Sequence, residues 1–480
     1  HWMNDPNGLV YYKGVYHLFY QYYPNATVWG PMHWGHATSS DLIHWENKPI
    51  ALYPDSIGLI FSGSAVVDYN NTSGFGKKGQ PPIVAIFTQH NQAREHDGKN
   101  DTENESIAYS NDGGNTWTKY QHNPVLVNPG ISDFRDPKVM WYAPQRKWVM
   151  TLATKDHITF YSSKNLKQWT KESEFGQDKG AHGGVWECPD LFPMTANDGK
   201  KEWVLIVNIN PGGPQGGSAT QYFTGSFNGK TFTANSKETK WVDWGADEYA
   251  GVTYSNTGNR RIFLGWMSNW QYATLVPTKE WRSATTIPRE LKLKKVGRGY
   301  YIASEPVKEF NKLKTFTRDL TDDPDHKGEI ILQEITPRLA EQFEFNMRFN
   351  ELKDFTINLF TKEGEKLVVG FDEKENNWYV DRTLAGDSTF YKGFARRFTA
   401  KRISKSKTSD FKLIVDATSA ELFADGGLTT MTTIFFPHKA YEDMGMVGPP
   451  INLHFDLRPQ SKLPQPLRSA SYSPLKSIWP

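Results

Sequence analysis

Apolar and polar positions alternate in short runs through the first 290 residues, and the period of an amphipathic helix is nearly absent there. Strongly apolar runs at 16–20, 83–87, 148–152, 203–207 and 262–266 read as strands buried on both faces. A shorter and more polar strand is predicted ahead of four of them, at 61–67, 134–139, 185–192 and 248–254. A degenerate repeat marks the same units. Residues 37–45, 108–117, 160–169 and 223–232 each read as a short strand, a turn of Ser, Asn, Asp or Gly, and an aromatic anchor at Trp45, Trp117, Trp169 or Phe232. Asp41, Asp112, Asn165 and Asn228 fall in these turns, where a short polar side chain bonds the local backbone.

The anchors recur at roughly 50–70 residues, the size of a four-stranded blade with its loops. Five such units fit before residue 290. The pattern therefore predicts an all-β chain that opens with a five-bladed β-propeller over residues 1–303. Ser304 and Pro306 then predict a short linker helix within 304–316. Alternating strands return from 317, and the segment 317–480 is expected to be a β-sandwich.

Composition narrows the function more than the fold. The chain of 480 residues holds 55 Lys and Arg against 53 Asp and Glu, and this balance gives no reason to expect nucleic acid or an anionic membrane as partner. No apolar run approaches the roughly 20 residues that span a bilayer. Cys188 is the single cysteine, so an intramolecular disulfide and a cysteine-based metal site are both excluded. Seventeen Trp and 22 Tyr suit strands first, and their faces also suit stacking on sugars.

The chemistry concentrates in three acidic islands, each pairing a carboxylate with a proline and an aromatic residue. They are Trp2-Met3-Asn4-Asp5-Pro6-Asn7-Gly8, Phe134-Arg135-Asp136-Pro137 and Trp186-Glu187-Cys188-Pro189-Asp190. In a propeller the first strand of each blade lines the central channel, so Asp5, Ser62, Asp136 and Glu187 would converge, with Asp243 just ahead of the fifth. Gathered carboxylates are what glycosidic cleavage uses, one to attack or stabilise and one to supply a proton. The bland alternative, acids that satisfy turn backbones, is even for any one of them and poor for all three together.

These blocks, with Phe61-Ser62-Gly63-Ser64, resemble glycoside hydrolase family 32, which includes invertases, inulinases and levanases. The likeness runs over nearly the whole chain and is strongest to bacterial levanase and related exo-fructosidases. It implies a five-bladed propeller joined to a sandwich, and retaining β-fructosidase chemistry on sucrose, inulin or levan without cofactor or metal. It also implies a secreted, extracellular protein.

Carried onto this chain, the resemblance makes Asp5 the nucleophile, Glu187 the acid and base, and Asp136 the transition-state stabiliser. Asn4, Gln21, Trp29, Phe61, Ser62, Arg135, Asp243 and Trp270 would contact the fructosyl unit. Neighbours in sequence suggest that Trp186 and Cys188 raise the Glu187 pKa, that Asn4 and Asn7 bond Asp5, and that Arg135 holds Asp136 charged. His33 and His36 do not suggest a metal, since positions three apart on a strand face opposite sides. The family block usually has an aromatic residue where this chain has Glu248, which would face either the leaving group or solvent. A non-catalytic sugar-binding propeller, an inverting arabinan hydrolase, a fructosyltransferase and an endo-acting fructanase are the alternatives. The sandwich is read as structural, with Asp416 and Glu421 as strand-edge residues, and a homodimer is left open.

Overall fold

The computed structural model describes residues 1–77, 79–320, 341–447 and 467–478, so the predicted 317–480 segment is covered only over part of its length. Strands dominate, and the α-helix among the described residues is the single turn and a half of Gln92–His96. None of the described helices is long and apolar enough to cross a membrane. The chain forms two compact units. The first comprises His1–Val242, Glu248–Thr274 and Thr278–Lys295, and the second Asp243–Asp247, Leu275–Pro277 and Val296–Pro480.

Within the first unit the described strands make five antiparallel sheets in chain order, and their first strands are Trp2–Tyr12, Leu59–Val67, Phe134–Tyr142, Val185–Thr195 and Tyr249–Thr253. Each first strand packs against the next, and Tyr249–Thr253 packs against Trp2–Tyr12, which closes a ring. This is a propeller. Its second strands are buried along nearly their whole length, as the continuous apolar runs require: every residue of Ile83–His90, Lys147–Thr154 and Ile262–Met267 is buried.

The repeat has a concrete hydrogen-bond basis. Asp41 Oδ1 accepts from the Ile43 and His44 amides, Asn165 Oδ1 from Lys167 and Gln168, and Asn228 Oδ1 from Lys230 and Thr231. The anchoring indoles then donate back to the turn, Trp45 to Leu42 O, Trp117 to Gly114 O and Trp169 to Leu166 O, at 3.0–3.1 Å. Side chain and backbone satisfy each other within a few residues, so the turn closes each outer hairpin locally.

A second regularity was not anticipated from the sequence. All five first strands lose register with their second strand at a matching place, Met3/Pro6, Ile60/Gly63, Arg135 to Lys138, Glu187/Asp190 and Tyr249/Val252, and Trp2–Tyr12 does so again at Asn7/Val10. The residues that these bulges leave out of the ladder are Asn4-Asp5, Phe61-Ser62, Asp136-Pro137, Cys188-Pro189 and Ala250-Gly251. Proline is tolerated because the ladder is already broken there; glycine is required at Gly63 by the close backbone of Ile86 and Phe87 and at Gly251 by the Phe263 ring and the Glu248 carboxylate. At three of the five bulges the first unpaired residue is left-handed: Asp136, Cys188 and Ala250 have φ of 63°, 42° and 54°.

The second unit has the expected sandwich pattern. One sheet runs, in spatial order, Arg318–Asp319, Leu467–Pro474, Phe343–Phe349, Ser409–Asp416, Ser419–Ala424 and Thr429–Ile434; the other runs Arg397–Lys401, Asn377–Leu384, Lys366–Asp372, Phe355–Phe360 and Asp443–Val447. Strict alternation of buried and half-buried residues in Phe355–Phe360 shows one face turned to the core, where Phe355, Trp378 and Phe411 pack together. Glu421 is buried, not at a strand edge as expected, whereas Asp416 is exposed. The predicted linker helix is shorter than 304–316. Residues 304–306 finish the strand Gly299–Pro306, and only Lys308–Leu313 turns, as a 3-10 helix without a side-chain cap. The Ser304 amide bonds Gly427 O, so Ser304 belongs to a strand and does not cap.

Gly63 makes the bulge geometry testable. A Cβ there would stand 2.1 Å from Ile86 O and 2.6 Å from Phe87 Cα, both backbone atoms that cannot swing aside. Gly63→Ala is expected to lower unfolding free energy by about 1–3 kcal/mol, the usual cost of overpacking. The urea midpoint reads this, and an unchanged midpoint would mean that the bulge has slack.

Candidate active site

The bulges aim their side chains into one pocket of ≈ 470 Å³. Its lining includes Asn4, Asp5, Gln21, Trp29, Phe61, Ser62, Arg135, Asp136, Glu187 and Trp270, so ten of the eleven positions expected from sequence are brought together. Asp243 is not among them. It is buried in the second compact unit, where Oδ1 accepts from the Gly245 and Thr432 amides at 2.8 Å and Oδ2 accepts from Thr432 Oγ1 at 2.6 Å. Its carboxylate satisfies backbone donors that would otherwise be orphaned, which is the ordinary reason to bury an aspartate.

Asp5 accepts from Ser62 Oγ at 2.6 Å and from Asn4 Nδ2 at 3.0 Å, and Asn4 is itself fixed by the Trp2 indole at 2.8 Å. Asn7 does not bond Asp5; its Oδ1 accepts from the Gly63 amide at 3.3 Å, tying the first bulge to the second. Asp136 Oδ2 accepts from the Cys188 amide at 3.0 Å, while its own amide donates to Thr88 Oγ1, which donates to the buried Glu105. Cys188 Sγ lies 3.5 Å from Asp5 Oδ2 and 3.6 Å from Asp136 Oδ2. The thiol is pushed well above its usual range, by burial first and then by the acids around it. It therefore stays protonated and donates between two carboxylates.

Glu187 Oε1 accepts from Arg135 Nη2 at 2.8 Å and Nε at 3.2 Å, and Oε2 accepts from the Tyr249 hydroxyl. Arg135 also reaches Asp133 at 2.6 Å and Glu103 at 3.2 Å. Sequence adjacency misled twice here. Arg135 bonds Glu187 and not its neighbour Asp136, and Trp186 turns into the core, donating to Ala181 O at 2.9 Å, because consecutive strand residues point to opposite sides.

The electrostatics follow from crowding. Burial raises the Asp5 carboxyl, and the Glu187 charge raises it further against the Ser62, Asn4 and Cys188 hydrogen bonds. Burial pushes Asp136 up to about 8, with the Glu187 and Asp5 charges adding to it and the Arg135 charge opposing, so the expectation of a permanently charged Asp136 is not met.

Of the other singled-out residues, His36 is buried against His17, with ring nitrogens 3.1 Å apart, and burial lowers its pKa to about 3. His33 faces the Pro31 carbonyl. Among the described residues no group of three or more His, Cys, Asp or Glu is arranged to hold a metal ion. Glu248 faces neither leaving group nor solvent. It is buried, and its carboxylate fills the space that Gly251 and Gly265 leave open; a Cβ at Gly265 would lie 2.3 Å from Oε1.

Sequence reading missed Tyr249, although it stands at the same place before its bulge as Arg135 and Glu187. It also missed Glu103, His90 and Asp133, which no motif marks. His90 stacks on Phe61 at 4.5 Å and bonds Glu95 at 2.9 Å. Such a set of carboxylates, with one guanidinium, one thiol and one phenol in a partly open pocket, suits displacement at an acetal carbon flanked by hydroxyls.

Because Asp136 holds its proton more tightly in the folded protein than at its ordinary value of 3.8, its contribution to stability is full below about pH 3.8 and is lost as pH rises through about 8. Asp136→Asn removes that loss. The variant is expected to gain on the wild type steadily between pH 4 and 8, at up to about 1.4 kcal/mol per pH unit and so by several kcal/mol at the upper end. Thermal midpoints across that range check it, and a constant difference would contradict the raised value.

Known proteins resemble the chain throughout. The family described as Glycosyl hydrolases family 32 N-terminal domain matches residues 1–306, and its C terminal counterpart matches 308–448. A levanase of Bacillus subtilis (strain 168) is 45% identical over 493 aligned positions, covering 100% of this chain and 69% of its own length. An extracellular exo-inulinase of Aspergillus awamori is 39% identical over 91% of this chain and 87% of its own. The structure of a β-fructofuranosidase from Schwanniomyces occidentalis, complexed with fructosyl-erythritol, superposes with a TM-score of 0.87 at 33% identity, over 99% of this chain and 96% of that one.

Proposed function

This chain belongs to glycosyl hydrolase family 32, and on that premise we propose that it is a retaining β-fructofuranosidase that releases terminal fructosyl units from sucrose and fructans. The observation that carries the reading is the convergence of Asp5, Asp136 and Glu187, from three different sheets, on one pocket. The propeller is read as five-bladed and catalytic, extending to residue 303, and the protein as extracellular like its relatives.

The geometry gives each acid a separate task. Asp5, oriented by Ser62 and Asn4, attacks the anomeric carbon through a carboxylate oxygen. The bond to the leaving oxygen breaks as Glu187 transfers its proton to that oxygen. In the second half Glu187, now a carboxylate, takes a proton from water, the water oxygen bonds the anomeric carbon and the ester bond to Asp5 breaks. Arg135 and Tyr249 fix Glu187 from two sides, one on each oxygen, so the face it turns to substrate is set before substrate arrives. Asp136, held by the Cys188 amide, stands where ring hydroxyls of the bound unit would meet it, and a positioned partner there strengthens as positive charge develops on the sugar. No cofactor enters the scheme. The partly closed pocket favours one chain end over a mid-chain segment.

Chromatography of products from sucrose, inulin and levan tests the reading, with the first-formed anomer of fructose followed by NMR. Fructose as the sole early product, released as the β anomer, is expected. Glu187→Gln should lower kcat by about 10²–10⁴-fold, the usual contribution of a general acid and base, and Asp5→Asn should abolish turnover. Early oligosaccharides would instead mean endo action or fructosyl transfer, and full activity in Asp5→Asn would end the proposal.

A further inference from the structure

The connection between the second and third strands of the second sheet is out of proportion to its neighbours. It runs from residue 91 to 102, between Ile83–His90 and Glu103–Ser110, where hairpin loops commonly take about 2–5 residues. It carries Gln92–His96, and it is ordered by its own contacts. Asn91 caps that turn through the Arg94 amide at 3.1 Å and reaches across to Ile57 O at 3.3 Å. Arg94 clamps Asp101 with two hydrogen bonds of 2.5 and 2.6 Å, and Glu95 is held by His90 at 2.9 Å. Loops of this length without a packed core of their own are mostly functional.

This loop supplies part of the pocket lining through Glu95, Lys99 and Asn100. All three are exposed, whereas Asn4, Ser62 and Asp136 on the same lining are buried. The three therefore stand at the mouth and the bulge residues at the floor. Both side chains at 99 and 100 are exposed; the Lys99 ammonium interacts with the Asp101 carboxylate through charge, and among the described residues neither it nor the Asn100 side-chain amide is tied down by a hydrogen bond. Trp29, also on the lining and 38% exposed, offers an aromatic surface at the same pocket. A ring face together with exposed nitrogen donors matches a neutral, hydroxyl-rich chain, whose C–H faces stack and whose oxygens accept. The volume of ≈ 470 Å³ lies within the range of about 300–1,000 Å³ typical of sites for drug-sized ligands, which leaves room for more than one sugar ring.

We propose that the 91–102 loop is a binding wall for the sugar units beyond the scissile bond, with Lys99 and Asn100 as the specificity-determining donors that favour fructan chains over sucrose. The proposal rests on the β-fructofuranosidase reading for the orientation of the substrate: the terminal unit fills the floor, so the remainder of the chain leaves past the mouth. Because the Arg94–Asp101 clamp orders the loop in advance, little ordering entropy opposes binding.

Two measurements separate this proposal from the reading beneath it. Hydrolysis of sucrose by the wild type tests the reading. Calorimetric binding of β-2,1- and β-2,6-linked fructose tetrasaccharides to the turnover-deficient Asp5→Asn protein tests the wall, with and without Lys99→Ala plus Asn100→Ala. The double substitution should weaken binding of at least one tetrasaccharide about tenfold, the effect of one hydrogen bond from a charged donor, while fructose binding shifts less than twofold. In the active protein the ratio of kcat/KM for that tetrasaccharide to kcat/KM for sucrose should fall by a similar factor. Arg94→Ala, which touches only the clamp, should move the ratio in the same direction. Unchanged tetrasaccharide affinity, equal losses for fructose and tetrasaccharide, or no tetrasaccharide binding to the Asp5→Asn parent would each overturn the proposal.

Discussion

One guanidinium organises the floor of the pocket. Arg135 bonds Glu187, Glu103 and Asp133 at once, and without it the first strands would bring together more negative charge than a buried site tolerates. An unpaired buried carboxylate either takes up a proton or destabilises the fold by several kcal/mol, about 3–5 when a partner is removed. Arg135 is also drawn by Asp136, although they share no hydrogen bond, and its own charge is held firmly by the four acids around it. Even so the compensation is incomplete. Asp136 is pushed up to about 8, Asp5 is raised, and Glu105 behind the Thr88 hydroxyl is raised well above its usual range by its burial. The floor thus holds carboxyl groups close together with Asp136 favoured in its protonated form near neutral pH, an arrangement typical of sites that handle protons.

That crowding depends on the bulges. A regular strand would send Arg135 and Asp136 to opposite faces, and likewise Glu187 and Cys188. The break in register lets Arg135 and Asp136 line the same pocket, while Cys188, beside Glu187, reaches the Asp5 and Asp136 carboxylates. The side chains around the bulges divide the work: Asp5 and Asp136 are acids, Ser62 donates to the first, and the Cys188 thiol lies between both. Arg135, Glu187 and Tyr249, each the last paired residue before its bulge, are joined through Glu187, which accepts from the other two. Chemistry here is the divergence of a repeated break in the ladder.

Much of this was legible in the sequence because it is locally encoded. Asp41 with Trp45, Asp112 with Trp117 and Asn165 with Trp169 close their turns through bonds within a few residues, so a scan for strand, turn and anchor finds the sheets. The Pro-flanked acids mark broken ladders for the same reason. What sequence hid is pairwise and distant. Nothing beside Arg135 announces that its partner lies 52 positions away at Glu187, nor beside Glu187 that Tyr249 lies 62 positions away. Asp243 shows the converse error: an acid at the right place in a block proved to be a backbone acceptor for Thr432. The start of the linker helix was misplaced through Ser304 and Pro306, whose helix-start signals sit inside a strand.

The floor and the mouth answer to different constraints. Gly63 and Gly251 admit no Cβ without collision, Trp2 is locked behind Asn4, and Ser64 ties the second sheet to the third by donating to Pro137 O. Change at the floor propagates through close-packed neighbours, so that region can hold only a narrow set of residues. The loop at the mouth is fastened by an exposed ion pair and a side-chain cap, contacts that can be exchanged without disturbing the core. A scaffold divided in this way keeps its reaction while its preference for leaving groups varies. Relatives that share the floor would therefore be expected to differ first in the connections between outer strands, because only there does substitution leave the carboxylates where the reaction needs them.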